Sequence, residues 1–274
     1  MTNQIHYPLV QSDDEFDRLI EQNRFYGELT ERVLLAAGIQ QGMRLLDVGC
    51  GGGDVSFLLA RLVGPQGAVV GVDRSPTAIT QAEKRANSAR LENVKFLLSE
   101  LPEFSSAQHF DAAVGRFVLI YQPDPVAVLR HVASQVRRGG LVVFQEMDCS
   151  QWPPARLCDS PLLAQVGDWF KKTYVVLGAE MQMGMKLPRV FEQAGLPVPE
   201  ARVESRLVTD PGSPYYHLIP EFFRTLLPTM ERLGVATAAE VDVDTLEERL
   251  RAEVRALGTV ALTPPLVGAW ARKA

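Results

Sequence analysis

Between residues 43 and 145 short apolar runs alternate with segments of helical period, and this alternation limits the possible folds more than any other feature of the chain. Residues 43–48, 68–72, 94–98, 110–115 and 141–145 have strand length, whereas 54–63, 75–89 and 125–135 recur at helical spacing. Strands that alternate with helices of this size form βαβ units, so the expected class is α/β with a doubly wound, mostly parallel sheet. A helix over 12–37 precedes the alternation, with Ser12 and Glu15 in capping-box spacing. Beyond residue 146 the pattern loosens. Helices are expected over 161–177 and 187–194 and a sixth strand over 198–208. A helix over 214–233 is expected to be interrupted by Pro220 and Pro228. Asp244 and Glu247 read as a second capping box, opening a helix with Leu246, Leu250, Val254 and Leu257 on one stripe and Gly258 at its end. Residues 259–270 would return to the sheet, interrupted by Pro264-Pro265. The organisation read from this is a helical cap over 1–40, a ligand-binding core over 41–150, and a helical insertion with return helix over 151–197. The last two strands then fall in 198–274, with a helical lid insertion over 210–257.

Composition narrows the function. The 274 residues are 46% hydrophobic and 22% charged, which is ordinary for a globular chain. The 28 basic and 33 acidic residues give a net charge of −5. Arg137-Arg138 and Lys171-Lys172 are isolated pairs rather than the clustered cations that release counterions from a duplex, so no nucleic-acid partner is expected. Cys50, Cys149 and Cys158 make an odd set without a CxxC pair, which suits neither a zinc site nor a disulfide framework and fits a reducing compartment. No apolar run approaches the ~18 residues of a membrane span, and residues 1–10 lack the basic start and apolar core of a signal peptide. The expectation is a cytoplasmic protein without membrane association.

The densest chemical signal is the turn after the first strand, Asp47-Val48-Gly49-Cys50-Gly51-Gly52-Gly53-Asp54. Glycines there let a ligand approach the backbone, and the following helix offers free N–H groups. Asp73 ends the second strand, 20 residues beyond Gly53, where a carboxylate can hold both hydroxyls of a ribose. A dinucleotide fingerprint beginning at Gly49 continues with Gly51 but then meets Asp54 where a third small residue belongs. Asp47, Asp54 and Asp73 together would repel a pyrophosphate and suit a ligand with cationic groups and no phosphate. Cys50 reads as a small filler residue, and Asp111 as structural.

The run Asp47-x-Gly49-x-Gly51-x-Gly53 resembles the acidic-x-Gly-x-Gly-x-Gly motif of the class I S-adenosylmethionine-dependent methyltransferases, and later landmarks of that family recur in order over 40–147. Gly71-Val72-Asp73-Arg74-Ser75 matches the ribose-binding segment, and Ser99-Glu100 the position that contacts the adenine amino group. Phe110-Asp111-Ala112-Ala113-Val114-Gly115-Arg116 matches the fourth strand, whose end holds the methionine part. Arg137-Arg138-Gly139-Gly140-Leu141 matches the turn into the fifth. The resemblance implies a Rossmann-like, seven-stranded fold with helical lid insertions. It also implies an enzyme that binds S-adenosyl-L-methionine through Asp47, Gly49, Gly51, Gly53, Asp73, Arg74, Glu100 and Arg116 and releases S-adenosyl-L-homocysteine. The chain most resembles metal-independent small-molecule enzymes of this family, including quinone-biosynthesis C-methyltransferases and natural-product methyltransferases. The acceptor is then a small molecule methylated on O, N or C by in-line displacement, by a monomer or a homodimer.

Proton removal from the acceptor calls for a base within about 3 Å or one water. His217, beside Tyr215 and Tyr216, and Glu146, past the fifth strand, are the candidates; a surface histidine and loop capping are the plainer roles of each. Asp148 shares the second alternative, His109 and His131 read as bland, and His6 with Tyr7, ahead of the first helix, could fold over the cofactor. Trp152, Trp169, Phe170, Tyr174, Phe222 and Phe223 supply core and, in part, a wall for a flat apolar acceptor; Met181, Met183 and Met185 are the softer wall candidates. Two other readings stay open: a nicotinamide-dependent oxidoreductase on a related sheet, and a non-catalytic sensor that retains the cofactor pocket.

Overall fold

The computed structural model describes residues 13–153 and 159–274, with side chains from residue 18 onward. Ser12, His6, Tyr7 and Cys158, named above, lie outside what is described, and of Glu15, within α1, only the backbone is. In chain order the elements are α1 (Asp13–Ala37), β1 (Arg44–Val48), α2 (Asp54–Val63), β2 (Ala68–Asp73), α3 (Pro76–Ser88), β3 (Val94–Leu98) and β4 (Phe110–Arg116). A 3-10 turn (Leu119–Tyr121), α4 (Pro125–Gln135), β5 (Val136–Met147), α5 (Pro161–Val176), α6 (Met183–Gln193), β6 (Glu200–Glu204) and β7 (Leu207–Val208) follow. The chain closes with α7 (Tyr215–Arg232), α8 (Ala238–Val241), α9 (Val243–Leu257), β8 (Ala261–Leu262) and β9 (Leu266–Arg272).

Seven strands form one sheet in the order β3-β2-β1-β4-β5-β9-β6, parallel except for β9, which runs antiparallel to both β5 and β6. Both faces are covered, which is why β1, β4 and β5 read as near-continuous apolar runs. Leu45 packs with α1, α2 and α3 through Leu34, Leu59 and Ala82, and Leu46 packs on the opposite face with α4 and α6 through Leu129 and Phe191. Strand order reverses between β1 and β4, and the turns at their carboxyl ends diverge to leave a crevice.

Local sequence sets several helix starts. Ser75, Asp124 and Ser160 each precede a proline and accept from the backbone N–H three residues on, at 3.2, 2.8 and 3.1 Å. A side-chain cap of this kind contributes about 1 kcal/mol, and proline in the first turn has no N–H to lose.

The structure corrects four expectations in the second half. The capping box belongs to Thr237 and Glu240, which open α8, and α9 starts at Val243, one residue before Asp244. Asp244 and Glu247 instead pair with Arg224 and His217 on α7. Helix α7 runs unbroken through Pro220 and Pro228, because Phe223, Leu226 and Met230 bury a continuous face in the cluster that also holds Leu246, Leu250 and Val254 of α9; packing of that face outweighs two lost backbone bonds. Leu257 drops off the expected stripe and is 52% exposed. The sixth strand divides at Ser205-Arg206, so that β6 joins the main sheet while β7 pairs with β8. Thr263 stabilises the break by accepting from Arg206 N–H at 2.9 Å, and Pro264-Pro265 has no donors to continue a ladder.

Helices α5, α7 and α9 thus pack into one roof at the carboxyl edge of the sheet. Leu250→Ala should open a cavity beneath that roof and cost about 2–5 kcal/mol of folding stability. Urea unfolding monitored by circular dichroism measures this; an unchanged midpoint would place Leu250 outside the core.

Candidate functional site

The turn after β1 is built on glycines with positive φ, a backbone conformation that side chains rarely adopt. Gly49 has φ of +64°, and a Cβ there would lie 2.8 Å from Cγ2 of Val118 on the neighbouring turn. Gly51 has φ of +51° and, in contrast, nothing within 4 Å of the position a Cβ would take. Its backbone therefore faces open space, and its N–H donates to Asp73 Oδ2 at 2.9 Å. Asp73 Oδ1 accepts from Ser75 N–H, also at 2.9 Å. One carboxylate thus ties the β1 turn to the β2 turn, and each of its oxygens keeps acceptor capacity for a further donor.

Gly49, Gly51, Asp73, Arg74, Glu100 and Arg116 all line a single cavity of about 460 Å³ at this edge. Asp47 and Gly53 do not. Asp47 is fully buried behind the turn, where it accepts from Ser56 Oγ at 2.5 Å, and burial pushes its carboxyl up to about 7. Gly53 faces Phe57, whose ring a Cβ would meet at 2.7 Å.

The expected excess of negative charge is also corrected. Asp54 lines the cavity but is ion-paired with Arg85 at 2.6 Å, and Arg85 donates as well to the Gly52 carbonyl. With Asp47 drawn toward neutrality, Asp73 and Glu100 carry the negative charge of this end, alongside Arg74 and Arg116. Shape and acceptor placement, rather than net charge, distinguish the cradle.

Arg116, at the end of β4, donates to Asn23 Oδ1 and to Thr30 Oγ1, both at 3.1 Å, and Thr30 donates to Gln145 Oε1 at 2.8 Å. This chain of bonds fastens α1 to the sheet and brings Arg18, Gln22 and Tyr26 to the cavity. Those three residues were missed in the sequence, although their i, i+4, i+8 spacing places them on one helix face.

Neither candidate base reaches the cavity. Glu146 is buried behind the β4 turn, accepting from the N–H groups of Val118, Leu119 and Ile120 at 2.9, 2.7 and 3.4 Å; burial pushes its carboxyl up to about 8. Its role is to hold the loop that presents Val118 and Tyr121. His217 is half exposed and pairs with Glu247 of α9 at 2.8 Å. Tyr215, Leu218, Ile219 and Phe222 share the helix face toward the cavity, and position 217 falls on the opposite side. Asp148 caps its loop, binding Ser150 Oγ at 2.6 Å.

The far wall is aromatic. Phe170 lies 4.4 Å from Tyr174 and 5.6 Å from Phe222 between ring centroids, with Trp152 edge-on to Phe170 at 6.0 Å. Phe223 also lines the space, whereas Trp169 sits behind it; Met181 and Met183 are buried elsewhere, and Met185 is exposed.

Residues 39–195 match a protein family described as a methyltransferase domain. Aklanonic acid methyltransferase DauC of Streptomyces sp. (strain C5) is 34% identical over 143 residues, 52% of this chain and 64% of that protein. Demethylmenaquinone methyltransferase of Staphylococcus aureus (strain JH9) is 30% identical over 149 residues, 52% of this chain and 60% of that protein. The match therefore spans less than two thirds of each of these relatives. The solved structure of the YcgJ protein of Bacillus subtilis shares the fold, with a TM-score of 0.55 and 16% identity over 88% of this chain and 97% of that one.

Asp47 and Glu146 give the site a pH signature. Both hold protons in the folded chain to a higher pH than in the unfolded one, where carboxyls titrate near 4. The stability they confer is complete below pH 4 and is lost as pH rises through about 7 and about 8, respectively. Asp111 and Glu180, whose carboxyls are lowered, titrate below this window. The melting temperature should fall between pH 5 and pH 8.5, and Asp47→Asn should lessen the fall. Parallel slopes for the two proteins would show that Asp47 is ionised in the native state.

Proposed function

The chain belongs to the methyltransferase-domain family, and on that premise we propose that it transfers a methyl group from S-adenosyl-L-methionine to O, N or C of a small aromatic or apolar acceptor. The observation that carries this reading is the joined turn of Gly51 and Asp73 opening onto an aromatic cavity.

The residues present fit the cofactor. Open space over Gly51 admits a nucleoside against the backbone, and Asp73 retains lone pairs on both oxygens for ribose hydroxyls. Glu100 and Arg74 line the same cavity, which supports a role for Glu100 toward the adenine amino group. Arg116, at the end of β4, also lines the cavity, which supports its role toward the amino-acid portion. Asp47 and Gly53 shape the turn from behind rather than touch the ligand. When bound, the cofactor supplies an electrophilic methyl group on a sulfonium centre.

What the chain itself contributes is alignment and a dry enclosure. Holding two reactants in line can be worth about 7–11 kcal/mol, and excluding water strengthens the fixed dipoles around them. Helix α1 and the rings of α5 and α7 close the acceptor side. On this reading the core of 41–150 holds the cofactor, α1, α5 and α7 cover it, and α6 packs on the sheet face instead. A cytoplasmic setting and an acceptor other than nucleic acid belong to the same proposal, supported by the net charge of −5 and the lack of clustered basic residues. No helix among the described residues is long and apolar enough to cross a membrane.

Isothermal titration tests the reading directly. S-adenosylhomocysteine should bind and NAD(H) should not; the reverse would overturn the proposal in favour of an oxidoreductase. Tight cofactor binding with no methylated product across a broad acceptor screen would favour a sensor instead. Asp73→Ala should weaken S-adenosylhomocysteine binding by roughly 1–3 kcal/mol through loss of charge-assisted hydrogen bonds. His217→Ala should leave kcat within about twofold of the wild type, since the side chain points away from the cavity; a larger fall would return His217 to the chemistry.

A further inference from the structure

The glycine turn is held from two directions by one β2–α3 unit. Asp73 accepts from Gly51 N–H at 2.9 Å, and Arg85, in the last turn of α3, donates to the Gly52 carbonyl and to Asp54 Oδ1, each at 2.6 Å. Gly52 and Asp54 line the cavity, whereas Arg85 lines a second groove, between α1 and α2. Its guanidinium carbon lies 5.0 Å from the ring centroid of Phe57, the ring that closes on Gly53 and stands edge-on to Phe96 at 6.0 Å. Packing thus fixes the cation on the groove side, and its two bonds draw the Gly52 carbonyl and the Asp54 carboxylate that way.

Asp54 is 9% exposed, so its attraction to nearby cations is little screened. A second guanidinium lies within range. Burial lowers the Arg116 group from its ordinary value, and the charges of Asp54 and Asp47 oppose that shift. Two cations therefore compete for the Asp54 carboxylate, one outside the cavity and one on its wall. The hydrogen bond goes to Arg85, while Arg116 is bonded to Asn23 and Thr30.

We propose that Arg85 is a positioning residue for the cofactor: it fixes the carbonyl of Gly52 and keeps Asp54 from pairing with Arg116, so that the turn and the Arg116 guanidinium both stay presented to the ligand. This rests on the methyltransferase reading above and adds to it a residue that never touches the bound molecule. Two properties suit the group to the task. A planar fork of N–H donors serves a carbonyl and a carboxylate together, which the point charge of a lysine does not reproduce. A buried ion pair that loses one partner leaves the other uncompensated, and that costs more than the loss of both. Without Arg85, Asp54 would turn to Arg116, take up its remaining donors, and leave the Gly52 carbonyl free to rotate.

The test combines calorimetric titration of the full chain with S-adenosylhomocysteine and hydrogen exchange of the ligand-free chain. Arg85→Met should weaken S-adenosylhomocysteine at least about tenfold, through loss of two charge-assisted bonds. Arg85→Lys, which keeps a charge beside Asp54, should lose less. Adding Asp54→Asn to Arg85→Met should regain affinity severalfold, because the unpaired carboxylate is gone; a role in packing alone would make the two losses add. In the ligand-free Arg85→Met chain, amide exchange over residues 49–56 should quicken severalfold while that over β5 stays unchanged. Should Arg85→Met fail to fold, Arg85→Gln repeats each comparison. Unchanged affinity in Arg85→Met, a lysine variant no better than the methionine one, no recovery in the double variant, or unchanged exchange over 49–56 would overturn the inference. Failure of S-adenosylhomocysteine to bind the wild type would instead sink the methyltransferase reading, and exchange of the ligand-free chain would still decide whether Arg85 holds the turn.

Discussion

At the carboxyl edge of a parallel sheet the chain leaves the ladder and its N–H groups lose their partners. Here side-chain carboxyl groups take them up. Asp73 receives the N–H groups of Gly51 and Ser75, and Glu146 receives those of Val118, Leu119 and Ile120. Asp47, one step further inside, binds Ser56 and so couples β1 to the first turn of α2. Without these bonds the turns that frame the cavity would carry buried, unsatisfied donors, each costing about 1–3 kcal/mol. The crevice at the strand reversal is open because its walls are hydrogen-bonded from behind.

This division of labour reassigns several acidic residues. Asp47, Asp54 and Glu146 carry the chemical character expected of a reactive site, yet each is engaged in scaffolding: one bonded to Ser56 with its carboxyl pushed up to about 7, one ion-paired with Arg85, one receiving three backbone donors. Asp73 stands apart because two anchoring bonds still leave acceptor capacity toward the cavity. The same bonds that hold the turn also orient the carboxylate, so rigidity and recognition come from one group.

On the acceptor side the organising contact is the bond chain from Arg116 through Thr30 to Gln145, which binds α1 across the sheet edge. It carries Arg18, Gln22 and Tyr26 into a space otherwise walled by α5 and α7. Aromatic packing among Phe170, Tyr174, Phe222 and Phe223 then makes the roof both a hydrophobic core and a ligand surface.

Much of what depends on neighbours a few residues away was legible in the sequence, although the capping box was expected at Asp244 and Glu247 and stands at Thr237 and Glu240. The strand–helix alternation, the glycine turn and the position of Asp73 all follow from local periodicity and backbone preference. The stripe of Leu246, Leu250 and Val254 was equally plain. What depends on distant partners was decided only by the tertiary structure. Two prolines failed to break α7 because α9 buries its face; His217 turned outward because Tyr215, Leu218 and Ile219 turned in; Glu146 went to a loop 26–28 residues away in sequence. Arg18 met Phe222 across some 200 residues of chain. Hydrogen-bonding and burial energies act through space with no memory of sequence separation, so a single sequence declares which elements form and where a cradle lies, while the fold alone decides which polar side chains face it.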